Sequence, residues 1–337
     1  MVDAAKTPVI SVLVCTINRR DNVVPTIRSV QQSGFEDFEL LVMDQSKDES
    51  TAVVVAELAR EDPRIRLVRL ALPGKPRALN AGRRLARAPY LALTDDDCEV
   101  GAGWLEALVG AFQADARVGC VYGDVSPGPH DPSLGFIPIC RIERPAKIEG
   151  LSQFLTMPNW QHFGIGASMG LRASVLDRVG GWDECIGPGT KFGSGDDNDI
   201  AVKVLRDGHR IAFVPEASVV HHGFRFWKSS KADAKRTGFG LGAIFVKHLR
   251  CGAIYPGAFR AVTNSVKEVG TRALRGQRPL GLAYPVSWVR GAVVGFSHPI
   301  DRASNSYVPQ SDAESLRHSG KIAEVVLRQD RPSPSKS

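Results

Sequence analysis

A chain of 337 residues is longer than one typical domain, and its 43% hydrophobic and 23% charged residues are ordinary for a globular protein, which excludes low-complexity and fibrous classes. Its six cysteines (Cys15, Cys98, Cys120, Cys140, Cys185 and Cys251) form no C-x-x-C pair and no zinc-type spacing, so the composition suits a reducing compartment rather than a disulfide framework. No run approaches the roughly 20 apolar residues that span a bilayer, and no basic segment precedes an apolar core at the start; the expected location is cytoplasmic.

In chain order, Val9 to Cys15 is an apolar run of strand length, and Asp21 to Gln32 has helical spacing closed by Gly34. Phe38 to Met43 predicts a second strand, Glu49 to Glu61 a second helix and Ile65 to Leu70 a third strand. Arg77 to Arg87 predicts a helix, and Tyr90 to Thr94 a fourth strand, followed by polar chain and a helical segment from Ala102. This alternation implies an α/β fold: a Rossmann-like, mostly parallel sheet flanked by helices. Right-handed crossovers then bring Thr16-Ile17-Asn18, Asp44-Gln45-Ser46 and Asp95-Asp96-Asp97 to one edge of the sheet. Further on, Gly164 to Arg172 surrounds an apolar strand and Ser174 to Val179 predicts a helix. A glycine-rich run, Gly187 to Gly195, precedes a helix opened by Asp196 and Asp197, with Ile200, Ala201, Val204 and Leu205 at helical spacing. Arg210 to Val214 and Ser218 to Val220 predict two short strands ending in His221-His222.

The three aspartates carry the chemistry. Carboxylates crowded at a strand's carboxyl end repel one another, and a hard divalent cation with oxygen ligands relieves the repulsion. A solvated acidic turn capping the next helix fits the same three residues equally well. Asp196 and Asp197 also admit two readings, since acidic residues at a helix start complement its dipole. Trp182 suits core packing better than stacking on a sugar, and Cys98 suits a small side chain at the sheet edge better than a nucleophile. A neutral imidazole at His221 or His222 is a competent ligand for a metal completed by carboxylates, or equally a surface histidine pair ending a strand.

Five segments, in order, resemble family 2 glycosyltransferases of the GT-A fold: Val12 to Arg19, Phe38 to Ser46, Gly74 to Gly82, Thr94 to Asp97 and Gly193 to Asp199. The resemblance runs from about Val9 to about His222. It implies transfer of a sugar from a nucleotide-sugar donor to a glycan or lipid-linked acceptor by an inverting displacement, in cell-envelope glycan synthesis, with Mn²⁺ or Mg²⁺ as cofactor and no nucleic-acid partner. By the same resemblance, Thr16, Asn18, Asp44, Gln45, Lys75, Asn80, Asp95 and Asp96 contact the donor nucleotide. Asp97, Asp95 and His221 hold the metal, and Asp197 is the base, with Asp196 at the position of the family's glutamate. Lys75 and Arg77 are cations near the diphosphate or solvated loop residues. One departure stands out: the family's paired aspartates after the second strand are here Asp44-Gln45. Gln45 accepts a hydrogen bond through its amide oxygen but carries no charge, so the nucleotide base is not specified.

After His222 the chain changes character. Residues 224–300 carry thirteen Lys/Arg against Asp233 and Glu268, an excess of eleven positive charges in a chain of net +7. Lys235 to Arg250 predicts a helix whose basic flanks and apolar middle suit an interfacial position on an anionic membrane, an acidic partner, or plain solvation. The expected organisation is a catalytic domain over 1–223, a basic helical extension over 224–310 and a polar, disordered tail over 311–337. Two rivals are a nucleotidyltransferase of the sugar-nucleotide pyrophosphorylase type, which needs a glycine-rich first loop where Thr16 to Arg20 has none, and a non-catalytic basic protein binding membrane or nucleic acid.

Overall fold

The computed structural model describes residues 7–156, 164–253 and 282–309, with scattered helical positions between 263 and 274; the polar tail lies outside the described residues. The chain opens with β1 (Ile10–Thr16), α1 (Arg20–Gln31), β2 (Phe38–Asp44), α2 (Ser50–Glu61), β3 (Ile65–Arg69), α3 (Lys75–Leu85) and β4 (Tyr90–Asp95). Next come β5 (Cys98–Val100), α4 (Trp104–Ala114), β6 (Val118–Pro127), the short β7 (Gly135–Phe136) and β8 (Ala146–Ile148), and α5 (Leu151–Thr156). Then follow β9 (Met169–Arg172), α6 (Ala173–Arg178), α7 (Asp196–Arg206), β10 (Arg210–His221), β11 (Arg225–Phe226), α8 (Ser230–Arg250), α9 (Ala283–Ser297), β12 (Ile300–Asp301) and β13 (Ser306–Tyr307).

The main sheet has the order β3-β2-β1-β4-β9-β6-β10-β5, with β8 on β10. Pairings among β1 to β4 are parallel, as the alternation of strands and helices predicts. β1 is apolar but for Ser11 and the terminal Thr16, because both faces are covered. Leu13 packs on one side with Leu41, Leu91, Leu93 and the helices α3, α6, α7 and α8, while Val12 and Val14 pack on the other with Val42, α1, α2 and α4. On α1, Val23, Ile27 and Val30 recur at helical spacing and are fully buried, each worth about 1.5–3 kcal/mol.

Three features differ from expectation. The two strands expected around Pro215 are one strand, β10, whose register against β6 shifts between Val214 and Val219. A proline cannot donate to the ladder, so the irregularity falls where Pro215 stands. Cys98 to Val100, expected as polar chain, is a strand antiparallel to the end of β10, with Cys98 opposite His221. The third concerns the basic segment. The helix expected over Lys235 to Arg250 begins at Ser230, and apart from the exposed Leu249 its apolar middle faces inward: Leu241, Ala243 and Ile244 join the main core with Trp288 and Tyr307. Close approach to α9 requires glycine, since a Cβ at Gly242 would lie 2.0 Å from the Trp288 carbonyl oxygen and one at Gly291 1.9 Å from that of Phe239. Lys247 and His248, within the helix expected to suit a membrane, an acidic partner or solvation, are fully buried.

Candidate active site

The carboxyl ends of β1, β2 and β4 open on a cleft of about 620 Å³. Its lining includes Thr16, Gln45, Lys75 and Asp95 to Asp97 from the first half, and Gly193, His221, Arg225 and Arg236 from the second. In-register pairing sets this convergence, with Thr16 beside Asp44 and Cys15 beside Asp95. β5 then turns the chain so that Cys98 pairs with His221 and the His222 N–H donates to the Asp97 carbonyl at 2.8 Å.

The acidic cluster is neutralised from three directions. Arg19 Nη1 donates to Asp96 Oδ1 and Asp97 Oδ2, both at 2.9 Å. His221 Nε2 lies 3.2 Å from Asp97 Oδ1, and Lys75 pairs with Asp95. Burial disfavours the Asp97 charge, but His221 and Arg19 outweigh it and hold the carboxyl down to about 2. At Asp96 burial wins over Arg19 and the pKa is raised. Burial opposes the Lys75 ammonium, yet the Asp95 and Asp196 carboxylates prevail and keep it charged.

A divalent cation fits this corner. One ligand atom from each of Asp95, Asp97, Cys98 and His221 lies within 4.8 Å of the others. His221 Nδ1 donates to the Pro138 carbonyl at 2.8 Å, which fixes the tautomer and presents Nε2 to the cluster. Two carboxylates and one imidazole suit Mn²⁺ or Mg²⁺. Burial raises the Cys98 thiol pKa, so this member stays protonated and is the weakest donor. His222 instead pairs with Glu99 at 3.0 Å, which separates the two histidines.

Asp196 and Asp197 begin α7, after Gly195 in a left-handed conformation. Burial and the neighbouring Asp197 push Asp196 up to about 7, against the pull of Lys75. Burial also raises Asp197, but this carboxylate has more support: Asn198 N–H at 2.9 Å, Asn198 Nδ2 at 3.0 Å and Gly166 N–H at 3.3 Å. Of the pair, Asp197 is better held as the ion and Asp196 as the acid.

Other residues expected at the donor serve the walls. Asn18, with a φ of 54°, joins two loops: its N–H donates to Ser46 Oγ at 2.7 Å and its Oδ1 accepts from Lys47 N–H at 3.2 Å. Asp44 does not line the cleft; it is fully buried, bound to Arg69 at 3.0 Å and to the Ser46 N–H at 2.8 Å. Gln45 does line it, and its Nε2 donates to the Leu72 and Gly74 carbonyls, which leaves Oε1 as the acceptor. Asn80 is held away from the cleft, its amide exchanging hydrogen bonds with the Trp182 backbone at 2.9 and 3.0 Å. Trp182 is core. Arg77 pairs with Glu184, not with the acidic cluster. Sequence patterns assign no role to Arg19, although it comes directly after Asn18 in the first loop, or to Arg236 on the far wall.

A mostly parallel sheet with an aspartate cluster and a strand-end histidine at its carboxyl edge defines a protein of the GT-A fold. The same fold is found in the mannosyltransferase PcManGT from Pyrobaculum calidifontis, solved with GDP-Man and Mn²⁺, with a TM-score of 0.58, 18% identity and coverage of 87% of this chain and 88% of that one. The chain belongs to glycosyl transferase family 2, whose model matches residues 11–180. Among curated relatives, the GalNAc(5)-diNAcBac-PP-undecaprenol beta-1,3-glucosyltransferase of Campylobacter jejuni is 33% identical over 104 residues, covering 30% of this chain and 34% of that one. The pre-mycofactocin glycosyltransferase of Mycobacterium tuberculosis is 30% identical over 168 residues, covering 47% and 33%. The chain thus spans about a third of the length of these relatives.

Proposed function

We propose that the protein transfers a glycosyl group from a nucleotide-sugar donor to an acceptor hydroxyl with inversion at the anomeric carbon. The observation that carries this reading is the convergence of Asp95, Asp97 and His221 in a cleft also lined by Lys75, Arg19 and Arg236. Asp95, Asp97 and His221 would hold Mn²⁺ or Mg²⁺, which when bound offsets the charge developing on the departing nucleoside diphosphate. Arg19, Arg225 and Arg236 supply further positive charge to the diphosphate. The Gln45 amide oxygen accepts from the base, Thr16 lines the cleft beside it, and Asn18 braces the loop by its bond to Ser46. Asp197 accepts the proton of the attacking hydroxyl, while Asp196 retains its own near neutrality. A glycan or lipid-linked acceptor in cell-envelope synthesis is supported by the undecaprenol-linked relative.

The test is a donor screen on purified protein with Mn²⁺, following nucleoside diphosphate release with and without lipid and glycan acceptors. Metal-dependent release from one donor class that rises with acceptor supports the reading. Binding of no nucleotide sugar under any condition overturns it.

A further inference from the structure

Among the described residues, the helix that carries an unpartnered apolar face is α9, not the basic helix α8. Trp288, Gly291 and Gly295 of α9 are buried on α8. On its other side Leu282, Val286, Val289, Val293 and Phe296 recur at steps of four, three, four and three, and each is 54–69% exposed. Such spacing places five large side chains in one stripe along a helix about 22 Å long. Exposed apolar residues scattered singly need no explanation, but a continuous row does.

Charge indicates what covers it. Helix α9 has no acidic residue, and its one ion, Arg290, is exposed. Residues 251–300 hold six Lys/Arg against Glu268 alone. A second copy paired through the stripe would bring Ala283, Arg290 and Ser297 to its flanks, with no acidic group to meet either arginine. An anionic surface with an apolar interior matches both the row and the charge. Among the described residues no helix is long and apolar enough to cross a membrane, so contact lies in the plane of the interface.

We propose that α9 docks the protein on an anionic lipid bilayer, with Leu282, Val286, Val289, Val293 and Phe296 entering the headgroup–acyl boundary and Arg290 meeting the headgroups. Lipid binding is measured without turnover, so it stands or falls apart from the transferase chemistry.

The experiment is vesicle co-sedimentation of the full chain with phosphatidylcholine alone or mixed with phosphatidylglycerol, alongside analytical ultracentrifugation without lipid. The wild type is expected to sediment with the mixed vesicles and far less with the neutral ones. The double variant Val289→Glu, Val293→Glu should partition about tenfold or more weakly, with unchanged circular dichroism and thermal midpoint. Phe296→Ser, a milder change, should fall between the two. Wild-type protein that ignores mixed vesicles overturns the proposal, as does a folded double variant that binds like wild type. A dimer abolished by the double variant, with lipid binding untouched, overturns it in favour of a second copy.

Discussion

Lys247 on α8 and Asp199 on α7 form a fully buried ion pair, Nζ to Oδ1 at 2.6 Å, which fastens the basic segment to the helix that begins with the acidic pair. Lys247 also reaches Asp183 Oδ2 at 2.8 Å, and His248 Nε2 lies 2.8 Å from Asp199 Oδ1. Residues that look like part of a solvated cationic surface therefore lie inside the core and anchor the first turn of α7 through Asp199.

Removing one partner leaves the others buried without compensation. Lys247→Met should cost about 3–5 kcal/mol of stability by denaturant unfolding. Adding Asp183→Asn and Asp199→Asn should recover part of the loss. An unchanged midpoint in Lys247→Met would show that the network carries no stability.

Acid should weaken the fold through His248. Burial, the largest influence, drives its pKa from 6.5 down to about 4 despite Asp199. The unfolded chain therefore takes up a proton at a pH where the folded chain does not, and the contribution of His248 to stability falls as pH drops from about 6.5 to about 4. Asp196, pushed up to about 7, acts in the opposite direction over the same window, so the comparison is the test: as pH drops, denaturant midpoints of His248→Gln should rise relative to those of the wild type.

Donor binding should require the cation corner. Isothermal calorimetry with a nucleotide sugar should show binding weakened by EDTA and by Asp97→Ala, and less so by His222→Ala, because His222 pairs with Glu99 outside the cluster. Equal affinity with and without metal would remove Asp97 from a metal role.

The acidic pair should divide its labour. Asp197→Asn should lower turnover by roughly 10²–10⁴-fold with donor affinity near wild type. A base must be ionised, so activity should fall as pH drops through the pKa of the pair. Because Asp196 still carries its proton when Asp197 ionises, Asp196→Asn should leave the acid limb where it stands in the wild type. An acid limb that moves to lower pH in Asp196→Asn would show that Asp196 is charged first and that the roles within the pair are reversed.

Helix contact in the basic segment should tolerate no added side chain. Gly291→Ala places a methyl group against the Phe239 carbonyl and should cost about 1–3 kcal/mol by thermal or denaturant unfolding.

The first half of the sheet was legible because its strands are buried on both faces and read as continuous apolar runs, with their loops at strand ends. The corner around His221 was legible only in part. β5 is three residues, Cys98-Glu99-Val100, with no periodicity of its own, and it is a strand only because β10 lies beside it. Arg19 is an ordinary loop cation until folding sets it against Asp96 and Asp97. Lys247 and His248 carry a polar signature that hydropathy assigns to solvent, and only distant Asp183 and Asp199 reverse that assignment. Asn80 and Asp44 sit in the expected segments, but local sequence does not show that Trp182 and Arg69 claim their polar atoms.

One strand of the central sheet, β9, runs against both of its neighbours, β4 and β6. A reversed strand delivers its leading loop, not its trailing one, to the edge where β4 ends. That is how Gly166 comes to bond Asp197 while a Cβ on it would sit 3.5 Å from Lys75 Nζ. The strand is thus a seam between the parallel strands β1 to β4 and the parallel pair β6 and β10, and the family match ends at residue 180, just past it. Under the proposed reaction the cation corner straddles this seam, with Asp95 and Asp97 at the end of β4 and His221 at the end of β10. Chimeric enzymes joined at the turn from β9 into α6 would therefore draw their cation ligands from both parents.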